Sequence, residues 1–320
     1  MRPESTSVIF RDDLSILAKE YDEQKAIGRF IARQAAPVAE VASAEGQYPI
    51  MNRENFKKPA KTGRTEGSNY NRVSGTFGSG TYDCQEHGLE YVIDDRRLKR
   101  YRRLFDAELA ATQILRFQLL LAHERRVAAL YSGGGFSNTN VATAWSTSDT
   151  AVPLDDILTG LETLEDKCGV GPEDISLIIP RADFREMMAC AQVTDKVKYT
   201  YPGMQPALLQ AMQVAAMLGI KSVLKARSVY DSTEEGVAES NTQIWTAGVM
   251  YLAVLAEESE TLETASAART ILWTADAPEL PVVESYREEK IRSDVVRTRD
   301  DTDEILMGET DLFVYQLTNT

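Results

Sequence analysis

Two histidines, three cysteines and a scatter of carboxylates are what this chain offers for chemistry, and their spacing limits what they can do. His87 follows Glu86 and His123 precedes Glu124, but neither pair has the second histidine that a zinc-binding helix requires. Two isolated imidazoles leave little for a metal site or a histidine-based triad, and both read as surface or packing residues. Cys84, Cys168 and Cys190 are odd in number and contain no Cys-x-x-Cys pair, so neither a disulfide framework nor a zinc site is indicated. Gly133-Gly134-Gly135 follows a helical pattern instead of preceding one, and no Gly-Lys-Ser/Thr comes after it. It reads as a helix stop, not a phosphate cradle. Asp155-Asp156 and Asp300-Asp301-Thr302-Asp303-Glu304 could hold a hard cation. Helix capping accounts for the first, and a solvated turn between strands for the second. Met187, Met188, Met204, Met212 and Met217 read as helix packing residues. No catalytic, cofactor-binding or metal-ligating set is assigned, which favours a structural role and no enzyme.

The elements that organise these residues centre on one long helical pattern, Arg96 to Tyr131. Leu98, Tyr101, Leu104, Phe105 and Leu109 form an apolar stripe in its first half, opposite Arg96, Lys99, Arg100, Arg102, Arg103 and Asp106. In its middle Ile114, Leu115, Phe117, Leu119, Leu120 and Leu121 point nearly all round, so cover is expected on every side, from this chain or its neighbours. At 1.5 Å per residue the rod would span roughly 50 Å. Leu98, Tyr101, Phe105, Leu115, Phe117 and Leu121 are the expected helix core.

Before this spine, Asp12 and Asp13 cap a moderate helix bearing Leu14, Leu17 and Tyr21, and the chain turns extended after Ala35-Ala36-Pro37. From Gly46 to His87 the sequence is rich in Asn, Gly, Ser, Lys and Arg, with strand character at Tyr48-Pro49-Ile50, Thr76-Phe77 and Thr81-Tyr82. A stretch this long suits either a solvated loop or a two-stranded arm that docks on another subunit. Between Arg53 and Arg72 it holds six basic residues against two acidic ones.

After the spine, Ile157, Leu158, Leu161 and Leu164 mark a helix ended by Cys168-Gly169, and Ile175 to Ile179 suits a buried strand. Helices over Arg181 to Cys190 and Gln205 to Leu218 precede strands over Lys221 to Tyr230 and Gln243 to Ala256, with an acidic turn around Ser232 to Ser240. Residues Val152 to Ala256 thus form one α/β unit. The tail from Glu257 is strand-like over Ile271 to Thr274, Val282 to Arg299 and Leu312 to Leu317, with 16 acidic residues against six basic.

At 320 residues the chain can hold a large core, and 43% hydrophobic content makes it globular. A net charge of -14 argues against nucleic acid as the main partner. There is no apolar signal core and no run of about 18 apolar residues, so a reducing cytosol without membrane is expected.

The order of segments resembles the major capsid proteins of tailed bacteriophages, which share the Hong Kong 97-like fold. The resemblance rests on Phe30-Ile31-Ala32, Ala36-Pro37-Val38, Gly46-Gln47-Tyr48-Pro49, Thr81-Tyr82-Asp83-Cys84, Asp94-Asp95-Arg96, Gln243-Ile244-Trp245, Ser285-Tyr286-Arg287-Glu288 and Arg299-Asp300-Asp301. It implies an α+β fold with an N-terminal arm (1–45), an extended E-loop hairpin (46–90), a peripheral domain (91–151 with 257–320) and an axial domain (152–256). It also implies self-assembly as pentamers and hexamers into an icosahedral head around double-stranded DNA, in the host bacterial cytoplasm. A separate scaffolding protein, a portal and a decoration protein are the implied partners, with no cofactor. Lys57, Lys58, Lys61 and Arg64 are expected to lie over Asp300, Asp301, Asp303 and Glu304 of a neighbouring subunit. An encapsulin shell, a minor phage structural protein and an α/β enzyme are the rival readings.

Overall fold

The long helical pattern forms, but not as one rod. A computed structural model describes residues 23–319 apart from 53, 102–105, 201–210, 235, 258–260, 279 and 309–311. The chain first forms the short helices α1 (Glu23–Ile27) and α2 (Ala32–Ala35), then strand β1 (Val38–Val41). A hairpin follows, β2 (Glu45–Met51) and β3 (Phe77–Asp83), with the one-turn helix α3 (Glu54–Lys57) between them. Strand β4 (Gln85–Asp94) leads into helices α4 (Asp95–Tyr101) and α5 (Ala107–Gly133). Beyond β5 (Asn138–Asn140) come α6 (Pro153–Cys168), β6 (Ile175–Pro180), α7 (Arg181–Ala189), α8 (Ala191–Thr200) and α9 (Ala211–Leu218). Strands β7 (Ser222–Ala226), β8 (Val229–Asp231), β9 (Asn241–Gln243) and β10 (Val249–Val254) follow. The last four are β11 (Ala268–Trp273), β12 (Val282–Glu288), β13 (Ser293–Leu306) and β14 (Val314–Thr318).

The expected helix over Arg96–Tyr131 is interrupted at Asp106. That residue is extended, and its carboxylate accepts from the backbone N–H groups of Glu108 and Leu109, so a fresh helix starts at Ala107. At 27 residues α5 spans about 40 Å. It ends at the expected glycines, with Gly135 at φ +60°. Its buried stripe is Ala111, Leu115, Leu119, His123, Val127 and Tyr131, joined by Glu124 and Ala128. Leu109 and Ile114 are exposed, while Phe117, Leu120 and Leu121 are half-buried, so the described residues do not cover the middle of the helix all round. Phe117 meets Phe30 at 5.7 Å between ring centroids. Leu98 is half-buried beside Ala111 and Leu115. Leu14, Leu17, Tyr21, Leu104, Phe105, Met204 and the side chain of Tyr101 lie outside the described residues.

Two five-stranded sheets flank α5. In the first, the order is β1-β11-β13-β12, with β4 also paired to β13. Residues 85–90, expected in the hairpin, lie in this sheet: β4 pairs with β13 from Gln85↔Thr302 to Asp94↔Ser293. The hairpin itself runs from Glu45↔Asp83 to Met51↔Phe77. Asp300 to Glu304, expected as a solvated turn, sit inside β13, paired with β4 as far as Thr302 and with β11 from Thr302 on, because Arg299, Arg126 and the N–H of Asp83 supply partners for Asp301, Glu304 and Asp303.

The second sheet has the order β5-β14-β10-β6-β7. Strand β14, expected with the other tail strands, thus pairs with β10 across Met250↔Leu317 and Leu252↔Tyr315. Both faces are buried, which suits strands that read as nearly continuous apolar runs. Leu177, Ile179, Leu252 and Tyr315 meet the core under α6 to α9, while Ile178, Tyr251, Ala253 and Val314 meet the C-terminal half of α5. Helix α6 ends as expected at Gly169, φ +72°. Pro153 opens it, and Asp156 accepts from the indole Nε1 of Trp145 instead of capping the helix. Met187 and Met188 are buried, but Met212 is exposed.

Candidate functional site

The hairpin is the first candidate because its residues do not bury themselves. Gly46 and Gly80 let it close tightly, since a Cβ on either would collide with the ring of Tyr82 or Tyr48. At the far end of the paired strands and in the loop beyond them, Met51, Phe56, Tyr70, Val73 and Phe77 are all exposed, Phe56 and Tyr70 at 75%. Scattered exposed apolar residues are ordinary, but here five gather on one arm. Its base is fixed by the N–H of Asp83 donating to Asp303 Oδ2 at 2.9 Å.

The predicted contact residues divide between two places. Lys57 donates through Nζ to the carbonyls of Asp166 and Lys167, satisfying the open C-terminus of α6 in the same chain. Lys58 pairs with Glu54 one turn away, and Arg64 stacks over Tyr70 with its guanidinium 4.3 Å from the ring centre. Lys61 is exposed on the same loop. The four carboxylates lie elsewhere and are engaged. Asp300 and Asp301 are buried, Asp303 holds the arm base, and Glu304 is forked by Arg126 at 2.9 and 3.1 Å. Within one chain the basic loop and the acidic strand are not brought together, and the expected contact between them is one with a neighbouring subunit.

What it assembles instead is a polar cluster between α5 and the first sheet. Arg126 also donates to Thr302 Oγ1 at 3.1 Å and stands 3.8 Å from Asp300. His123 Nε2 lies 3.2 Å from Thr270 Oγ1 and 3.5 Å from Glu304. Because Thr270 gives its hydroxyl proton to the carbonyl of Ala36, the imidazole is the donor to Thr270, at Nε2. Burial pushes the pKa of His123 down to about 4 and that of Asp300 up to about 7. Burial pushes Glu304 up, but the bonds and charge of Arg126, together with His123 and Thr302, hold it below its ordinary value.

Next to His123 on α5, Glu124 is wholly buried and accepts four hydrogen bonds. Oε2 takes the backbone N–H groups of Ile31 and Ala32 at 2.9 and 2.7 Å, at the start of α2. Oε1 takes Ser228 Oγ at 2.9 Å and Trp245 Nε1 at 2.8 Å. Burial raises its pKa against the pull of these donors. The carboxylate ties the N-terminal segment, α5 and the two segments flanking the β8–β9 hairpin together, and Tyr131 adds a bond to the carbonyl of Ala35.

Sequence spacing assigns no role to Glu124 or Arg126. The available signal was register: Glu124 stands three residues before Val127 and four before Ala128, on the flank of the buried stripe, and a charge on a buried face needs partners. On the outer face of the first sheet, Arg297 bonds Glu90, Arg299 bonds Glu284, Asp276 and Asp301, and Arg287 bonds Asp95 and Asp294. Among the described residues no group of three or more His, Cys, Asp or Glu could hold a metal, and no helix is long and apolar enough to cross a membrane.

No protein-family model matches the sequence. A curated relative, the major capsid protein of Burkholderia phage BcepMu, is 27% identical over 228 residues, 69% of this chain and 70% of that one. A phage-related protein from Bordetella bronchiseptica RB50 superposes with a TM-score of 0.66 at 20% identity, over 93% of this chain and 95% of that one. The capsid structure of the cyanophage P-SCSP1u superposes at 0.63 with 9% identity, over 97% and 93%.

Proposed function

The chain has the Hong Kong 97-like capsid fold, and from that premise we propose that it is a major capsid protein of a tailed double-stranded DNA bacteriophage. The similarity to the phage BcepMu capsid protein supports this reading over an encapsulin shell or an enzyme. The observation that carries it is the arm. Residues 45–83 project five exposed apolar side chains that the rest of the chain leaves uncovered, which is wasteful in a monomer and useful where copies overlap.

In this reading α5 and the first sheet form the peripheral part of the subunit, and the second sheet with α6 to α9 forms the axial part. The arm lies over the adjacent copy, and the exposed Leu109 and Ile114 on α5 are covered by neighbours. Copies meet head-to-tail in pentamers and hexamers, since a repeated heterologous contact closes into a ring. The role is structural and not catalytic. A separate scaffolding protein, a portal and a decoration protein complete the head. A net charge of -14 keeps packaged DNA from adhering to the wall.

Electron microscopy of the chain, expressed alone and with its neighbouring genes, tests this. Closed shells or capsomer tubes are expected. A persistent monomer under both conditions would overturn the reading.

A further inference from the structure

In a chain with 14 more acidic than basic charges, one cleft has only cations among its charged lining residues. Arg181 and Arg185 on α7 and Lys225 and Arg227 at the end of β7 border a cleft of about 480 Å³. Its floor is Phe184, Met188 and Ala189, with Lys225 Nζ 4.2 Å from the centre of the Phe184 ring. The carboxylates of α7 turn the other way: Asp183 accepts from Gly248 N and from Asn319, and Glu186 from Asn319. Among the described residues no Asp or Glu stands within ion-pair distance of the four cations, whereas Arg126, Arg287, Arg297 and Arg299 are all paired. Burial and the neighbouring Arg227 lower the pKa of Lys225, as crowding without a counter-charge should.

The same chain carries the complementary shape. The β8–β9 hairpin leaves the sheet just past Arg227 and holds Asp231, Glu234, Glu235 and Glu239 with no basic residue from Ser228 to Gln243. Asp231 is used inside the hairpin, accepting from the backbone N–H groups of Thr233 and Ser240. Glu234 and Glu239 are exposed and make no ion pair with the cleft of their own chain, and Val237 beside them is 63% exposed.

We propose that the basic cleft binds the acidic β8–β9 hairpin of a second copy of this chain, with Glu234 and Glu239 on the arginine forks and Val237 on the apolar floor. Arginine suits this because its planar fork binds a carboxylate through two parallel bonds. Cleft and hairpin are different surfaces, so the contact is head-to-tail and generates a ring when its rotation closes. It therefore rests on the assembly reading above and adds the residues that make one of its contacts.

A charge swap tests it. Arg181→Glu/Arg185→Glu and Glu234→Arg/Glu239→Arg change exposed residues, so each variant should keep the wild-type melting temperature. Each should lose about tenfold in shell yield, and the combined variant should recover most of it, since two to three lost carboxylate pairs amount to about one decade in affinity. Single variants that assemble like wild type would overturn the contact while leaving the capsid reading intact. So would a combined variant that recovers nothing. A cleft variant that builds normal shells but retains less DNA would assign the cleft to phosphate instead, and also overturn it. If wild type itself never assembles, the capsid reading fails first.

Discussion

The indole Nε1 of Trp245 donates a 2.8 Å hydrogen bond to Glu124, a carboxylate with no solvent exposure at all, in the C-terminal half of the long helix α5. Three further donors, from Ile31, Ala32 and Ser228, complete the oxygens of this one side chain. Four segments far apart in sequence therefore depend on a single charge.

Glu124→Gln should show how much. An amide keeps one oxygen but turns an NH2 group toward donors, so two of the four bonds are lost and donors face each other. The expected loss is about 2–4 kcal/mol of unfolding free energy, because the unpaired groups are buried. Chemical denaturation of the unassembled chain would measure it, and a loss below 1 kcal/mol would show that water relieves the site.

The pair Asp300 and His123 predicts a compensated pH response. Asp300 rises from 3.8 to about 7, so it binds a proton on folding, and its contribution to stability falls as pH climbs between those values. His123 falls from 6.5 to about 4, so folding expels a proton, and its contribution rises with pH over nearly the same window. His87, lowered by burial, acts in the same sense as His123, while Arg126, Glu304 and Asp301 supply the surrounding charges. Stability of the wild type should vary little between about pH 4 and 6.5. Asp300→Asn should unmask a rise on the order of 2 kcal/mol across that range, and His123→Gln a fall. Melting temperatures against pH for the three proteins check this; parallel curves would refute the compensation.

Gly248 is expected to tolerate nothing larger. Its φ is +81°, and a Cβ would stand 2.8 Å from the backbone carbonyl oxygen of Asn319, which cannot swing aside as a side-chain end could. The turn also donates to Asp183 Oδ2 and accepts from Asn319 N, so a shift would loosen both. Gly248→Ala should cost about 2 kcal/mol, through strain and lost bonds together. Thermal unfolding of the variant gives the answer.

The arm separates folding from assembly. Phe56→Ser with Val73→Ser removes apolar surface that touches little within the chain, so monomer stability should stay within about 0.5 kcal/mol. Shell yield, read by sedimentation, should fall several-fold. Equal losses in both measurements would show that the arm packs on its own subunit.

The glycine ends of α5 and α6, the buried strand β6 and the acidic turn at 232–240 were legible because each depends on local periodicity or a special backbone angle, whereas the composition of the arm suited a solvated loop as well as the strand pair that forms. The break at Asp106 was not, since a capping carboxylate and a mid-helix surface aspartate look alike until its two N–H partners are seen. The helix that opens there carries the same lesson. Its sequence determined that a long apolar-striped helix would form, because spacing along one chain segment sets which residues share a face. Tertiary structure decided what Glu124, Arg126, Asp300 and Glu304 do. Their partners come from segments tens to hundreds of residues away, and the energy of a buried charge is set by those partners and not by its neighbours in sequence.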